Sequence, residues 1–176
     1  PSYRPNTSRE VFGLYDGVSE LISRLKENGA KVYLLSNAQH VFTYPELEVT
    51  GLVNQFDRIL LSSDYRIKKP DPGFIGRLMK EEGLDPLRTV MIGNDFSSDG
   101  KSAASAGIDF ICLNTFGFDD WTIERKIEDM MEEYPDYDRQ KITTIRKEPW
   151  FDGEKWLEKI LFLKTARKTH KARRRK

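Results

Sequence analysis

A chain of 176 residues, 38% apolar and 32% charged, has the length of one domain with a real core, or of a domain plus an appendage. A single cysteine rules out a disulfide framework, and no run approaches the roughly 18 apolar residues of a membrane-spanning helix; with no signal-peptide pattern at its start, the sequence predicts a cytoplasmic protein that does not engage a membrane. The net charge of +1 hides an asymmetry: Lys164 to Lys176 holds eight Lys or Arg and no acid, leaving 21 basic and 28 acidic residues before it.

Pro1 to Phe12 is polar and has no clear period. From Asp16 the pattern turns helical, with Val18, Leu21, Ile22 and Leu25 at i, i+3, i+4 and i+7, Asp16 as N-cap and Gly29 past the end. Lys31 to Leu35 is a continuous apolar run of strand length that stops at Ser36-Asn37, as a buried parallel strand does. Residues 40–53 predict one or two short helices closed near Gly51, and Phe56 to Leu61 a second strand. A loop from Ser62 to Asp71 follows, in which Pro70 biases Lys69 towards extended backbone. Asp71 before Pro72 is an N-cap and first-turn pair, with Gly83 as the stop of that helix. Thr89 to Ile92 is the third strand, Ser97 to Ala106 its helix with Gly107 as terminator, and Asp109 to Leu113 the fourth strand. Strands alternating with short helices indicate βαβ units and a parallel sheet. Cys112, within Phe110-Ile111-Cys112-Leu113, reads as a buried structural thiol.

After Phe118 the character changes. Ile123, Ile127, Met130 and Met131 mark an amphipathic helix ending before Pro135, and Ile142 to Ile145 has the makings of a short strand. Trp156, Leu157, Ile160 and Leu161 make another helical face. The expected organisation is a core over 1–118, a mainly helical appendage over 119–163 and a basic tail over 164–176.

Three polar clusters fall at strand ends or in the loops beside them: Ser36-Asn37, Lys69, and the pair Asp95 and Asp99. In an open α/β sheet those ends share one edge, where ligands bind. A hydroxyl and backbone N–H groups hold phosphate oxygens, a lysine offsets negative charge, and two carboxylates supply hard oxygen ligands for a cation such as Mg²⁺. Together they describe a phosphoryl-transfer site.

At these residues the sequence resembles the haloacid dehalogenase-like hydrolase superfamily. Val32 to Ala38 (VYLLSNA) is similar to its second motif, Lys69-Pro70-Asp71-Pro72 to its third, and Ile92-Gly93-Asn94-Asp95 through Asp99 to its fourth, within a likeness covering about residues 12–116. The resemblance implies a three-layer Rossmann-like α/β domain and a Mg²⁺-dependent phosphatase acting on a small phosphorylated metabolite through an aspartyl-phosphate. Ser36 and Asn37 would bind the phosphoryl group, Lys69 would stabilise its charge, and Asp95 would ligate Mg²⁺. Asp99 would contribute directly, through water, or by orienting Lys69.

The family's first motif, Asp-x-Asp at the end of a first strand, is not found. Asp136-Tyr137-Asp138 has the spacing but follows no apolar strand. The expectation is therefore a carboxyl-terminal portion of a longer protein, inactive alone, whose sheet is completed between the second- and fourth-motif strands by an upstream segment, by another chain, or by Ile142 to Ile145. Two other functions fit the same residues. One is a non-catalytic scaffold that uses Lys164 to Lys176 to bind nucleic acid or another anion; the other is a phosphomutase or dehalogenase on the same fold.

Overall fold

A computed structural model describes Leu14 and residues 17–146. The expected helical face from Trp156 to Leu161, the basic run Lys164 to Lys176 and the N-cap candidate Asp16 lie outside the described residues. The chain divides into two compact units. One holds the described residues up to Leu34 together with Val41–Ile59, and the other holds Leu35–His40 together with the residues from Leu60 onward.

In the first unit α1 (Val18–Glu27) starts at Gly17, which occupies the N-cap position, and buries Ile22 and Leu25, two of the four apolar positions read from its period. Ile22 packs with Leu47 of α2 (His40–Val49) and with Leu52, and Val18, Val32 and Phe56 close the cluster. Val32 and Asp57 hold each other. The Val32 N–H donates to Asp57 Oδ2 at 2.7 Å, and the Asp57 N–H donates to the Val32 carbonyl at 2.8 Å. That backbone N–H, helped by Lys26 and opposed by partial burial, holds the Asp57 carboxyl below its ordinary pKa. β1 (Tyr33–Ser36) and β2 (Arg58–Leu61) form a two-stranded sheet.

The second unit is built on a parallel sheet of β3 (Val90–Gly93), β4 (Asp109–Asn114) and β5 (Ile142–Arg146), in the order β3-β4-β5, with Val90 opposite Asp109 and Phe110 opposite Ile142. β4 is central and buries Phe110, Ile111 and Cys112; β3, at an edge, is only half-buried along its length. Burial pushes the Cys112 thiol up to about 12, with Asp99 and Asp95 adding to the rise, so it stays a neutral apolar filler. The loop expected after β2 opens with one helical turn, α3 (Ser62–Tyr65). Next comes α4 (Pro72–Glu81), capped as expected by Asp71, whose side chain accepts from the Gly73 N–H at 2.9 Å. Phe74, Ile75 and Leu78 of α4 are buried. α5 (Lys101–Ala106) ends on Gly107 at φ +64, a left-handed terminator that a side chain would strain.

Residues 119–146, expected within a mainly helical appendage, contribute a strand to the main sheet. α6 (Asp120–Glu133) buries Ile123, Ile127 and Met130, and β5 then pairs with β4. Ile142 to Ile145 is thus a strand, but it lies on the far side of β4 from β3 and fills no place between β1 and β3, which belong to separate sheets. The Asp136-Tyr137-Asp138 stretch serves the fold. The buried Tyr137 hydroxyl donates to the Ile108 carbonyl at 2.6 Å, and Asp138 accepts from the Gln140 N–H at 2.9 Å. Tyr137→Phe, which orphans a buried carbonyl, is expected to cost about 1 kcal/mol in urea denaturation, and an unchanged midpoint would refute this bond's contribution. Among the described residues no helix is long and apolar enough to cross a membrane.

Candidate active site

Ser36, Asn37, Lys69, Asp95 and Asp99 all line one cavity of about 630 Å³ within the second unit. That volume is in the range of small-molecule sites. The five residues come from three places in the chain: the end of β1, the segment before α4, and the turn after β3.

The turn after β3 determines most of the geometry. β3 ends at Gly93, and a single wide turn of π type, Phe96–Gly100, precedes α5. The Asp95 carbonyl accepts both the Asp99 N–H at 2.8 Å and the Gly100 N–H at 3.1 Å. This widened turn replaces the regular first turn expected from Ser97, and it folds the Asp99 side chain back over the strand end. Asp99 Oδ2 accepts from the N–H groups of Asn94 at 3.1 Å and Asp95 at 3.2 Å. Its Oδ1 accepts from Lys69 Nζ at 2.6 Å, with only 8% and 11% of the two side chains exposed. Both Asp99 oxygens are therefore committed, one to fixing the turn and the other to aiming Lys69.

Two glycines make close approaches possible at this turn, Gly93 to the Asp99 carboxylate and Gly100 to α6. A Cβ on Gly93 would lie 2.1 Å from Asp99 Oδ2, so only glycine allows this approach. A Cβ on Gly100 would come within 2.8 Å of Met130 Sδ on α6. Phe96, between the aspartates, turns inward and meets Phe110 of β4 edge-on at 5.5 Å.

Asp95 caps the turn. Its Oδ1 accepts from the Ser97 N–H at 2.9 Å and Ser97 Oγ at 2.7 Å, and its Oδ2 from Ser98 Oγ at 2.7 Å. Burial opposes ionisation of Asp95, but the Ser97 and Ser98 donors outweigh it, with a smaller pull from Lys126, and hold the carboxyl below its ordinary pKa. It is ionised at neutral pH.

Asn37 and Lys69 are joined across 32 residues. Asn37 Nδ2 donates to the Lys69 carbonyl at 2.8 Å, and the Lys69 N–H donates to Asn37 Oδ1 at 2.7 Å. The side-chain amide expected to assist phosphate binding is thus occupied on both atoms by the Lys69 backbone. The Lys69-Pro70 peptide is cis. Ser36 lies half-buried at the end of β1, and Ser62 Oγ bonds the Ala38 carbonyl at 3.1 Å to tie the next residues down.

Sequence reasoning missed three further lining residues, Phe116, Phe118 and Lys126. A lysine on an amphipathic helix reads as solvated surface, and only the packing of α6 brings it to the cavity.

Magnesium takes one or two carboxylates and completes its shell with waters and substrate oxygens. The donor set fits that habit: an ionised Asp95 lines the cavity, with Asp99 four positions on.

Residues 2–113 match the family model of haloacid dehalogenase-like hydrolases. The chain is 34% identical over 112 residues to a phosphoglycolate phosphatase from Nitrosococcus oceani, which covers 64% of this chain and 49% of that protein. A glyceraldehyde 3-phosphate phosphatase from Methanothermobacter thermautotrophicus is 29% identical over 91 residues, 52% of this chain and 40% of that one. The chain therefore spans less than half the length of either phosphatase. Among solved structures, the HAD-hydrolase YfnB from Bacillus subtilis, bound to magnesium, superposes with a TM-score of 0.56 at 27% identity, over 60% of this chain and 46% of that chain.

Proposed function

Because the chain belongs to the haloacid dehalogenase-like hydrolases, we propose that its second unit carries the phosphoryl-binding and cation-binding part of a phosphatase for small phosphate monoesters. The observation that supports this most directly is the nearly enclosed Lys69–Asp99 pair beside an ionised Asp95 in one cavity. Lys69 Nζ is aimed by Asp99 and keeps two protons to donate to phosphoryl oxygens. Ser36 Oγ offers a further neutral donor. Asp99, with three donors already on its carboxylate, positions Lys69 and fixes the turn. Asp95, with Asp99 as its neighbour, would hold Mg²⁺, which supplies neutralisation of the charge that develops on phosphoryl oxygens.

The family reaction through an aspartyl-phosphate needs a carboxylate free to attack phosphorus. Among the described residues, Asp95 and Asp99 are the carboxylates that line the cavity, and both are held by neighbouring donors. In this reading the chain binds phosphate but turns phosphate esters over at or near background rate. The names of the related phosphatases support a small phosphate monoester as substrate.

Calorimetric titration of inorganic phosphate with and without Mg²⁺ tests the site. Binding should be tighter by about tenfold with Mg²⁺, and Asp95→Asn should remove that gain. Absence of phosphate binding, or binding indifferent to both Mg²⁺ and Asp95→Asn, would overturn the assignment. Robust hydrolysis of 2-phosphoglycolate by the 176-residue chain would instead show that it already contains the nucleophile.

A further inference from the structure

The phosphoryl machinery does not account for every residue that lines the cavity. Phe116 and Phe118 also line it and pair at 5.4 Å between ring centroids, and Lys126 Nζ lies 4.8 Å from the centre of the Phe118 ring.

This part of the lining is built rather than loose. Asn114, buried at the end of β4, donates through Nδ2 to the Phe118 carbonyl at 2.7 Å and accepts from the Phe118 N–H at 2.9 Å. Asn94 Nδ2 donates to Thr115 Oγ1 at 3.0 Å, tying the same loop to the turn that carries Asp95. α6 is anchored beneath by Ile123 and Ile127, which flank Lys126 in sequence. The ammonium group therefore has a fixed stem and a fixed aromatic rest.

Among the described residues that line the cavity, Lys126 is also the cation without an ion-pair partner. Lys69 is engaged by Asp99, and nearby Arg125 and Lys101 pair with Glu128 and Glu133. Among the described residues no carboxylate lies within ion-pair distance of Lys126, and its contact is the face of an aromatic ring. A lysine resting on a ring in a concave site keeps its three donors for an incoming anion at little reorganisation cost.

We propose that Lys126 is a specificity residue that takes a carboxylate on the substrate, at the end of the molecule away from the phosphate, with Phe116 and Phe118 lining its carbon skeleton. The proposal rests on the phosphate-monoester reading above and deepens it. A carboxylate suits the site better than a second phosphate. One ammonium group balances a single negative charge, and the neighbouring Asp95 and Asp99 would repel a dianion that lacked a second cation.

The experiment compares three ligands by calorimetry on the full chain with Mg²⁺: 2-phosphoglycolate, ethyl phosphate, which lacks the carboxylate, and inorganic phosphate. The native chain should bind 2-phosphoglycolate about tenfold more tightly than ethyl phosphate. Lys126→Met should erase most of that preference while changing the affinity for ethyl phosphate less than about twofold, and Lys126→Arg should restore part of it. A preference that survives Lys126→Met, equal losses for all three ligands, or no preference in the native chain would overturn the role of Lys126 while leaving the phosphate site standing. Failure of all three ligands to bind would overturn both readings. Chemical-shift mapping of α6 amides confirms that Lys126→Met keeps the native fold.

Discussion

Gly93→Ala is expected to destabilise the chain by about 3 kcal/mol or more, an effect out of proportion to one methyl group. The new Cβ would lie 2.1 Å from Asp99 Oδ2 and 2.3 Å from its Cγ, inside any tolerable contact. Neither partner can give way cheaply. Gly93 is held in the ladder opposite Cys112 of β4, and the Asp99 carboxylate is held by two backbone N–H groups and Lys69. Overpacking alone costs about 1–3 kcal/mol, and ejecting the carboxylate adds the cost of leaving two N–H groups and a nearly enclosed ammonium without a partner. Urea denaturation reads the stability, and the Asn94 and Asp95 amide resonances should move with the lost bonds. A midpoint shift equivalent to less than about 0.5 kcal/mol would mean that the turn relaxes freely, contrary to this account.

The second large effect concerns the charge pair. Asp99→Ala is expected to cost about 3–5 kcal/mol, because it strands Lys69 in a site where only 11% of its side chain is exposed. Lys69→Met should cost less, since the Asn94 and Asp95 N–H groups still satisfy one Asp99 oxygen. Combining Lys69→Met with Asp99→Leu should recover much of the single-variant loss, since enclosed ion pairs replaced by apolar groups of similar volume are often near neutral. The double-mutant cycle should therefore give a coupling of about 2 kcal/mol or more. Additive losses would show that the two side chains contribute independently and that Asp99 does not position the lysine. Phosphate binding should fall in every member of the cycle, including the double variant whose stability returns.

The elements that were legible in the sequence rest on local chemistry. The Asp71-Pro72 cap and the Gly107 stop depend on residues two to four positions apart, so composition and spacing carried them. The four strands from Lys31 to Leu113 were legible because short, mainly apolar runs between helical segments have few other uses in an α/β chain. The convergence of Ser36, Lys69, Asp95 and Asp99 was legible too, through their places at strand ends and in the loops beside them and through the family resemblance.

Other features depend on partners that no local pattern names. The π-type turn at Phe96–Gly100 differs from an ordinary helix start by one hydrogen-bond register, which residue types do not encode. The place of β5 beside β4 is a non-local pairing between segments with the same β-branched character as any other strand. Asn37 read as a phosphate donor because its two bonds to Lys69 are invisible across a sequence separation of 32. Lys126 joined the site only through the packing of α6.

The Asn37 clamp also makes the site vulnerable to chemical ageing. Deamidation changes one atom, replacing the Nδ2 donor by an anionic oxygen that would face the Lys69 carbonyl at a separation where the amide now makes a 2.8 Å bond. Attraction becomes repulsion at one bond, while the bond from the Lys69 N–H to the other side-chain oxygen survives. The damaged segment would pivot rather than detach, and the lysine would be misaimed by an event that leaves the core, the helices and every cavity-lining residue except Asn37 chemically intact.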